Sequence, residues 1–192
     1  MKWIKNKPPL GTFILQSVVG IVIFAVVVVV DLVTKQVTEG MSRVWVIEGV
    51  FSLVSRHNTG GAWSLFGDNP VMMNVIKAFT FVFIAAVLVV MFWPDKRKNM
   101  FLIVTLSLLG SGALGNLVDR LAYGYVRDFF SIDLIKFPVF NVADIALVAG
   151  TIMLAVYIIW NFVVSEMSAK KTKDSQSDEE SVKDDKSGDG DK

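Results

Sequence analysis

The sequence predicts a helical membrane protein of four spans with a small extracytoplasmic sheet, and three observations carry that prediction. The 192-residue chain is 53% hydrophobic, with mean hydropathy +0.55, and holds several runs near the roughly 20 apolar residues that a helix needs to cross a bilayer. Positive charge gathers beside those runs, at Lys2, Lys5 and Lys7, at residues 96–98, and at Lys170, Lys171 and Lys173. Tryptophan marks the boundaries, with Trp3, Trp93 and Trp160 on the side of the basic clusters and Trp45 and Trp63 on the other. An excess of Lys and Arg marks the cytoplasmic side, so neighbouring clusters must be separated by an even number of spans. Two and two satisfies this, giving an all-α polytopic protein with both termini cytoplasmic.

Composition excludes several chemistries. There is no cysteine, so disulfides, thiol nucleophiles and cysteine-bound metals are out, and the single histidine, His57, leaves little room for a His-based zinc site. The net charge of +1 averages basic flanks with an acidic tail, and nothing suggests nucleic-acid binding.

The first span, 10–30, follows the basic N-terminus without a small-residue cleavage site and is expected to stay uncleaved. It stops at Asp31. If the helix continues one more turn, Asp31 and Lys35 form an i, i+4 pair with the acid first, the more favourable order. Residues 44–56, VWVIEGVFSLVSR, are β-branched and aromatic and break at Glu48-Gly49, which predicts two short strands around a turn in a sheet over about 44–66. Asn58-Thr59-Gly60-Gly61-Ala62 then brings a polar side chain and a glycine pair, more often a turn than a ligand loop. The remaining spans are 71–93, with Asn74 and Lys77 in its first two turns, 100–118 and 139–164. Gly110, Gly112 and Gly115 read as a face for close helix packing. The four-helix transmembrane unit is thus 1–164. Residues 165–192 are charged and nearly free of apolar side chains, so a disordered cytoplasmic tail with no catalytic role is expected.

Five aspartates share one level of this topology. The third span covers roughly 28 Å at 1.5 Å per residue, bringing Asp119 to the outer surface, while Asp144 lies roughly 8 Å below the start of the fourth span. Asp128 and Asp133 lie in the connection between them, and Asp31 ends the first span on the same side. Asn116, Asp119 and Arg120 fall at i, i+3 and i+4, and Asn141 and Asp144 at i and i+3, so each group lies on one helix face. Asp119, at a helix C-terminus, is expected to pair with its neighbour Arg120. Asp144 has no adjacent basic residue, and desolvation disfavours its charged form, which makes it the functional candidate. Asp128 can face it across the interface, and Asp133 remains an alternative. Two acids sharing a site can hold one proton between them, which suits amide hydrolysis and proton relay equally well. Residue chemistry alone leaves an enzyme and a transporter standing.

The motifs, in order, resemble those of the bacterial lipoprotein signal peptidases, also called signal peptidase II. They are Asp31-x-x-Thr34-Lys35, Asn58-Thr59-Gly60-Gly61-Ala62-Trp63, the run from Gly112 to Arg120, Val126-Arg127-Asp128-Phe129 and Phe140-Asn141-Val142-Ala143-Asp144. The resemblance implies a plasma-membrane aspartic endopeptidase that cuts prolipoproteins before a diacylglyceryl-modified cysteine. It implies Asp128 and Asp144 as catalytic acids, Asn58, Gly60, Asn116, Arg120 and Asn141 as substrate-binding or dyad-positioning residues, and Asp31, Lys35 and Asp119 as structural support. It implies no metal and no organic cofactor. Expected partners are diacylglyceryl-prolipoprotein substrates, membrane lipids and globomycin-type cyclic peptide inhibitors, with no nucleic acid, and the chain is expected to be a monomer with its site at the extracytoplasmic face. Gly61, Trp63 and Ser111 depart from the family's usual alanine, phenylalanine and glycine.

Overall fold

A computed structural model describes residues 8–59, 70–95, 99–135 and 137–187, with side chains as far as Ser168. Its elements in chain order are α1 (Leu10–Thr38), β1 (Val44–Ile47), β2 (Phe51–Asn58), α2 (Pro70–Phe92), α3 (Met100–Ala122), β3 (Val126–Ile132) and α4 (Val142–Ser187). Four stretches are long and apolar enough to cross a membrane: Leu10–Thr38, Pro70–Phe92, Met100–Ala122 and Val142–Ser168.

The helices are not equivalent. The most apolar window of α3 is 67% buried, against 11% for α1 and 17% for α2 and α4, so α3 is enclosed by protein while the others turn outward. Exposed side chains such as Val26, Phe79 and Ile152 form the kind of apolar surface that marks membrane contact. Small residues let α3 sit in the middle. A side chain at Gly110 would meet Phe24 of α1 and Val87 of α2, and one at Gly112 would meet the Ala143 carbonyl and Leu147 of α4. Gly115 is held by a polar neighbour instead, because a Cβ there would overlap the Asp31 carboxylate. The sequence reading of these glycines as a packing face holds.

Besides α4, whose end is described below, two helices outrun their predicted ends. α1 continues past residue 30 to Thr38, because Asp31 and Lys35 neutralise each other inside it at 2.7 Å, both fully buried. α3 continues past residue 118 to Ala122, which puts Asp119 and Arg120 within the helix rather than beyond it.

The sheet has one strand more than the sequence reading found. β1 and β2 form the expected hairpin, with Gly49 at φ 71° supplying the left-handed turn residue. β3 then pairs antiparallel with β2, giving the order β1-β2-β3 and setting Arg56 opposite Asp128 and Asn58 opposite Val126. The charged pair Arg127-Asp128 interrupts the apolar residues Val126, Phe129 and Phe130 of the strand, and both are buried. That interruption disguised β3 as a connection. The chain returns at Phe140, whose carbonyl accepts from Phe129 and Phe130 N–H and whose N–H donates to Phe130 O. This bridge delays α4 to Val142 and brings its first turn alongside Asp128. Residues 60–66 of the expected sheet, including Gly60, lie outside the described residues.

The chain divides into two compact units, 1–153 and 154–192. In the second the helix runs to Ser187, through the segment for which the sequence predicts a disordered tail. Lys, Glu, Gln and Ala there are good helix formers, and a lack of apolar residues argues against a core rather than against a solvated helix.

Candidate active site

Asp144 lies in the first turn of α4 and Asp128 on β3, and Asn141 joins them. The Asp144 N–H donates to Asn141 Oδ1 at 2.9 Å, while the Asn141 N–H donates to Asp144 Oδ2 at 3.1 Å. This is a capping box with Asn and Asp in place of the usual Ser and Glu, so the residues that start the helix also fix the carboxylate. The Asn141 amide nitrogen then donates to Asp128 Oδ1 at 2.6 Å and to Asn116 Oδ1 at 3.0 Å. Asn116 Nδ2 in turn donates to Asp144 Oδ1 at 2.8 Å, and Asn58 Nδ2 to Asp128 Oδ2 at 3.0 Å. Each of the four carboxylate oxygens thus has its own donor. The side-chain positions of both acids are set before any ligand arrives.

Asp133, the alternative to Asp128 left open by the sequence, is held elsewhere. It accepts from Arg43, Ser52 and Ser131 on the sheet, away from Asp144. Hydrogen bonding from Ser52, with Arg43 and Ser131 adding to it, keeps its carboxyl below the usual range.

A charged layer lies behind the amides. Lys35 Nζ pairs with Asp31 at 2.7 Å, reaches Asp119 at 3.5 Å and donates to Asn116 Oδ1 at 3.0 Å. Asp31 Oδ1 accepts from the Ala143 N–H at 2.8 Å, so α1 helps to cap α4. The expected Asp119–Arg120 pair is not formed. Asp119 is bound instead by Arg127, through its N–H at 2.9 Å and its guanidinium at 2.8 Å. Adjacent residues on a helix point about 100° apart, so when Asp119 turns inward to Lys35 and Arg127, Arg120 is directed elsewhere. It lines the cavity, and its buried Nε has no hydrogen-bond partner among the described residues.

The cavity holds about 440 Å³. Asn58, Asn116, Arg120, Asp128 and Asp144 form its polar side, and Phe79 and Phe83 of α2, Phe137, Phe140 and Leu147 its apolar side. Six of the ten residues singled out from sequence therefore either line this space or tie its acids together, and Asp31, Lys35 and Asp119 form the layer behind. Gly60 lies outside the described residues. Sequence reasoning missed Arg127, although a basic residue directly before Asp128 in a buried strand requires a buried partner.

Burial, reinforced by the negative charge of Asp144, pushes Asp128 up to about 7, against the opposing hydrogen bonds from Asn58 and Asn141 and the charge of Lys35. Between pH of about 4 and 7 the folded chain therefore keeps a proton that the unfolded chain has released. Stability should fall as pH rises through that window, by at most about 1.4 kcal/mol per unit, and level off above it. Unfolding in detergent across this range should reveal the slope in the wild type and its loss in Asp128→Asn. An equal slope in both would assign it to another group.

The chain matches the family model described as Signal peptidase (SPase) II over residues 23–160. It is 38% identical to a lipoprotein signal peptidase of Clostridium acetobutylicum over 146 residues, covering 72% of this chain and 92% of that one. It is 32% identical to one of Staphylococcus aureus, covering 81% and 93%. A solved structure described as a bacterial membrane enzyme, determined by the in meso method at 2.3 Å resolution, superposes with TM-score 0.65 at 32% identity, covering 82% of this chain and 93% of that one. With the match extending from within α1 into α4 and enclosing both aspartates of the cavity, the chain belongs to the Signal peptidase II family of aspartic peptidases and is a multi-pass membrane enzyme.

Proposed function

We propose that Asp128 and Asp144 are the catalytic pair with which this peptidase cuts prolipoproteins on the N-terminal side of a diacylglyceryl-modified cysteine. The observation that carries this reading is the single buried Asn141, which binds both carboxylates in the wall of a cavity that is polar on one side and aromatic on the other. The two acids share one proton and hold a water between them. The ionised acid removes a proton from that water as it attacks the scissile carbonyl, and the neutral acid donates to the carbonyl oxygen. Collapse of the tetrahedral intermediate then returns a proton from the pair to the leaving amine. Arg120, with a buried Nε that has no hydrogen-bond partner among the described residues, donates to a substrate backbone carbonyl and sets the register of the peptide. The apolar wall receives the lipidated segment, leaving the cut bond on the polar side.

The basic clusters support a topology with both termini cytoplasmic, which puts the sheet and the acids at the extracytoplasmic face. Substrates reach that face as membrane-inserted signal peptides, and globomycin-type cyclic peptides compete for the same cavity.

The test is cleavage by the purified chain, in detergent or nanodiscs, of a synthetic prolipoprotein peptide carrying diacylglyceryl-cysteine. The lipidated peptide should be cut and the cut blocked by globomycin, with the unlipidated peptide cut at least about 100-fold more slowly, as expected if lipid binding energy contributes to the transition state. A folded chain that leaves the lipidated peptide intact, yet passes protons in liposomes, would move the assignment to a relay.

A further inference from the structure

Lys35 is the point where the charged layer meets the amides that hold the acids. It is fully buried in α1 and does not line the cavity, yet its ammonium donates to Asn116 Oδ1 at 3.0 Å while paired with Asp31 at 2.7 Å. An asparagine amide has nearly the same shape when rotated by a half turn, so its two ends must be told apart by their partners. Here Oδ1 receives Lys35 and Asn141, which leaves the NH₂ for Asp144. A flipped Asn116 would press its NH₂ against an ammonium and remove the donor from Asp144.

The charges around the acids are few. Among the described residues, Arg120 approaches them from α3, and Lys35 from α1 has Asp31 beside it and Asp119 behind. Arg127 of β3 is engaged by Asp119. β2 contributes Asn58 and the exposed Arg56, which stands opposite Asp128 in the sheet, and α2 contributes the uncharged Phe79, Thr80 and Phe83.

We propose that Lys35 is a positioning residue for the acids: through Asn116 it fixes the donor at Asp144, and its buried charge favours the ionised form of the pair from the side opposite the cavity. The inference rests on the reading of Asp128 and Asp144 as the catalytic pair. A cation beside two acids lowers their proton affinity, so its removal raises it and a higher pH is needed to reach each protonation state. Removal of the anion Asp31, which offsets that cation, acts in the opposite direction.

The experiment is the pH dependence of kcat/KM for the purified enzyme on the lipidated peptide. Lys35→Met is expected to move both limbs up by about one pH unit, and to lower kcat about tenfold at neutral pH with KM changed less than about twofold, since Lys35 touches no substrate. Asp31→Asn keeps the outline of the side chain but turns an NH₂ towards either Lys35 or the Ala143 N–H, at the cost of one buried contact, and is expected to move both limbs down by about half a unit. Loss of packing alone cannot move two variants of one ion pair in opposite directions. If Lys35→Met fails to fold because Asp31 is left unpaired, Asp31→Asn decides: a downward shift upholds the proposal and unmoved limbs overturn it. A folded Lys35→Met with lower amplitude and unmoved limbs also overturns it. Asp128→Asn and Asp144→Asn run alongside. Activity in either overturns the dyad itself, whereas inactive dyad variants with unmoved limbs overturn only the role of Lys35.

Discussion

Asp144→Asn and Asp128→Asn, each folded and inserted like the wild type, are expected to cleave the lipidated peptide at least about 10⁴-fold more slowly. An amide keeps the outline of the carboxyl group but can neither accept the proton of the attacking water nor return one to the leaving amine. In energetic terms 10⁴-fold is about 5.5 kcal/mol of barrier. The structural cost is much smaller. At Asp144 an NH₂ would confront either Asn116 Nδ2 or the Asn141 N–H, and at Asp128 either Asn58 or Asn141, so each variant forfeits one hydrogen bond, worth about 1–2 kcal/mol. Thermal unfolding separates the two effects: a melting temperature lowered by a few degrees cannot account for such a loss of rate. The double variant should be no slower than either single, because two acids that share a proton act as a unit. Turnover within tenfold of wild type by either single variant would remove that acid from the chemistry.

The helices were legible because an apolar run and its basic flank each report a physical requirement of the bilayer, and α2 and the start of α1 fall within a residue of their expected positions. Where the expectation stopped short, at Asp31 and at Asp119, the reason is the same: a charge was read as an end of a helix, although its partner lay inside the fold. The partner of Asp31 was legible, since an i, i+4 spacing is local. The partners of Asp119 were not, because Lys35 lies on another helix and Arg127 on a strand whose existence depends on pairing with β2. β3 is decided by non-local hydrogen bonds, which leave no period in the sequence. The acids themselves could be ranked by burial and helix position, but the preference for Asp128 over Asp133 in the proposed pair rests on the family motif and on Arg43, Ser52 and Ser131 already holding Asp133.

Asn141 is where fold and chemistry are least separable, and two substitutions there are expected to pull them apart. The residue is fully buried and performs two tasks with one side chain: Oδ1 caps α4 by accepting from the Asp144 N–H, and Nδ2 positions Asp128 and Asn116. Asn141→Ala removes both, leaves Asp128 Oδ1 and a helix N–H without their donor and acceptor, and should cost about 2–4 kcal/mol of stability from a lost cap and unsatisfied buried groups. Activity should fall about 10²- to 10³-fold, since both acids lose the contact that holds them in common and misplacement of this order is costly. Asn141→Ser restores an effective cap, because a serine hydroxyl can accept from the same N–H, but it is too short to donate to Asp128. Its stability should therefore recover by about 1 kcal/mol over the alanine variant while its activity stays within about threefold of that variant. Paired unfolding and kcat measurements on the two proteins read the two tasks separately. Activity that recovers together with stability would mean that Asn141 serves the reaction only by starting the helix, and that Asp128 is positioned by Asn58 alone.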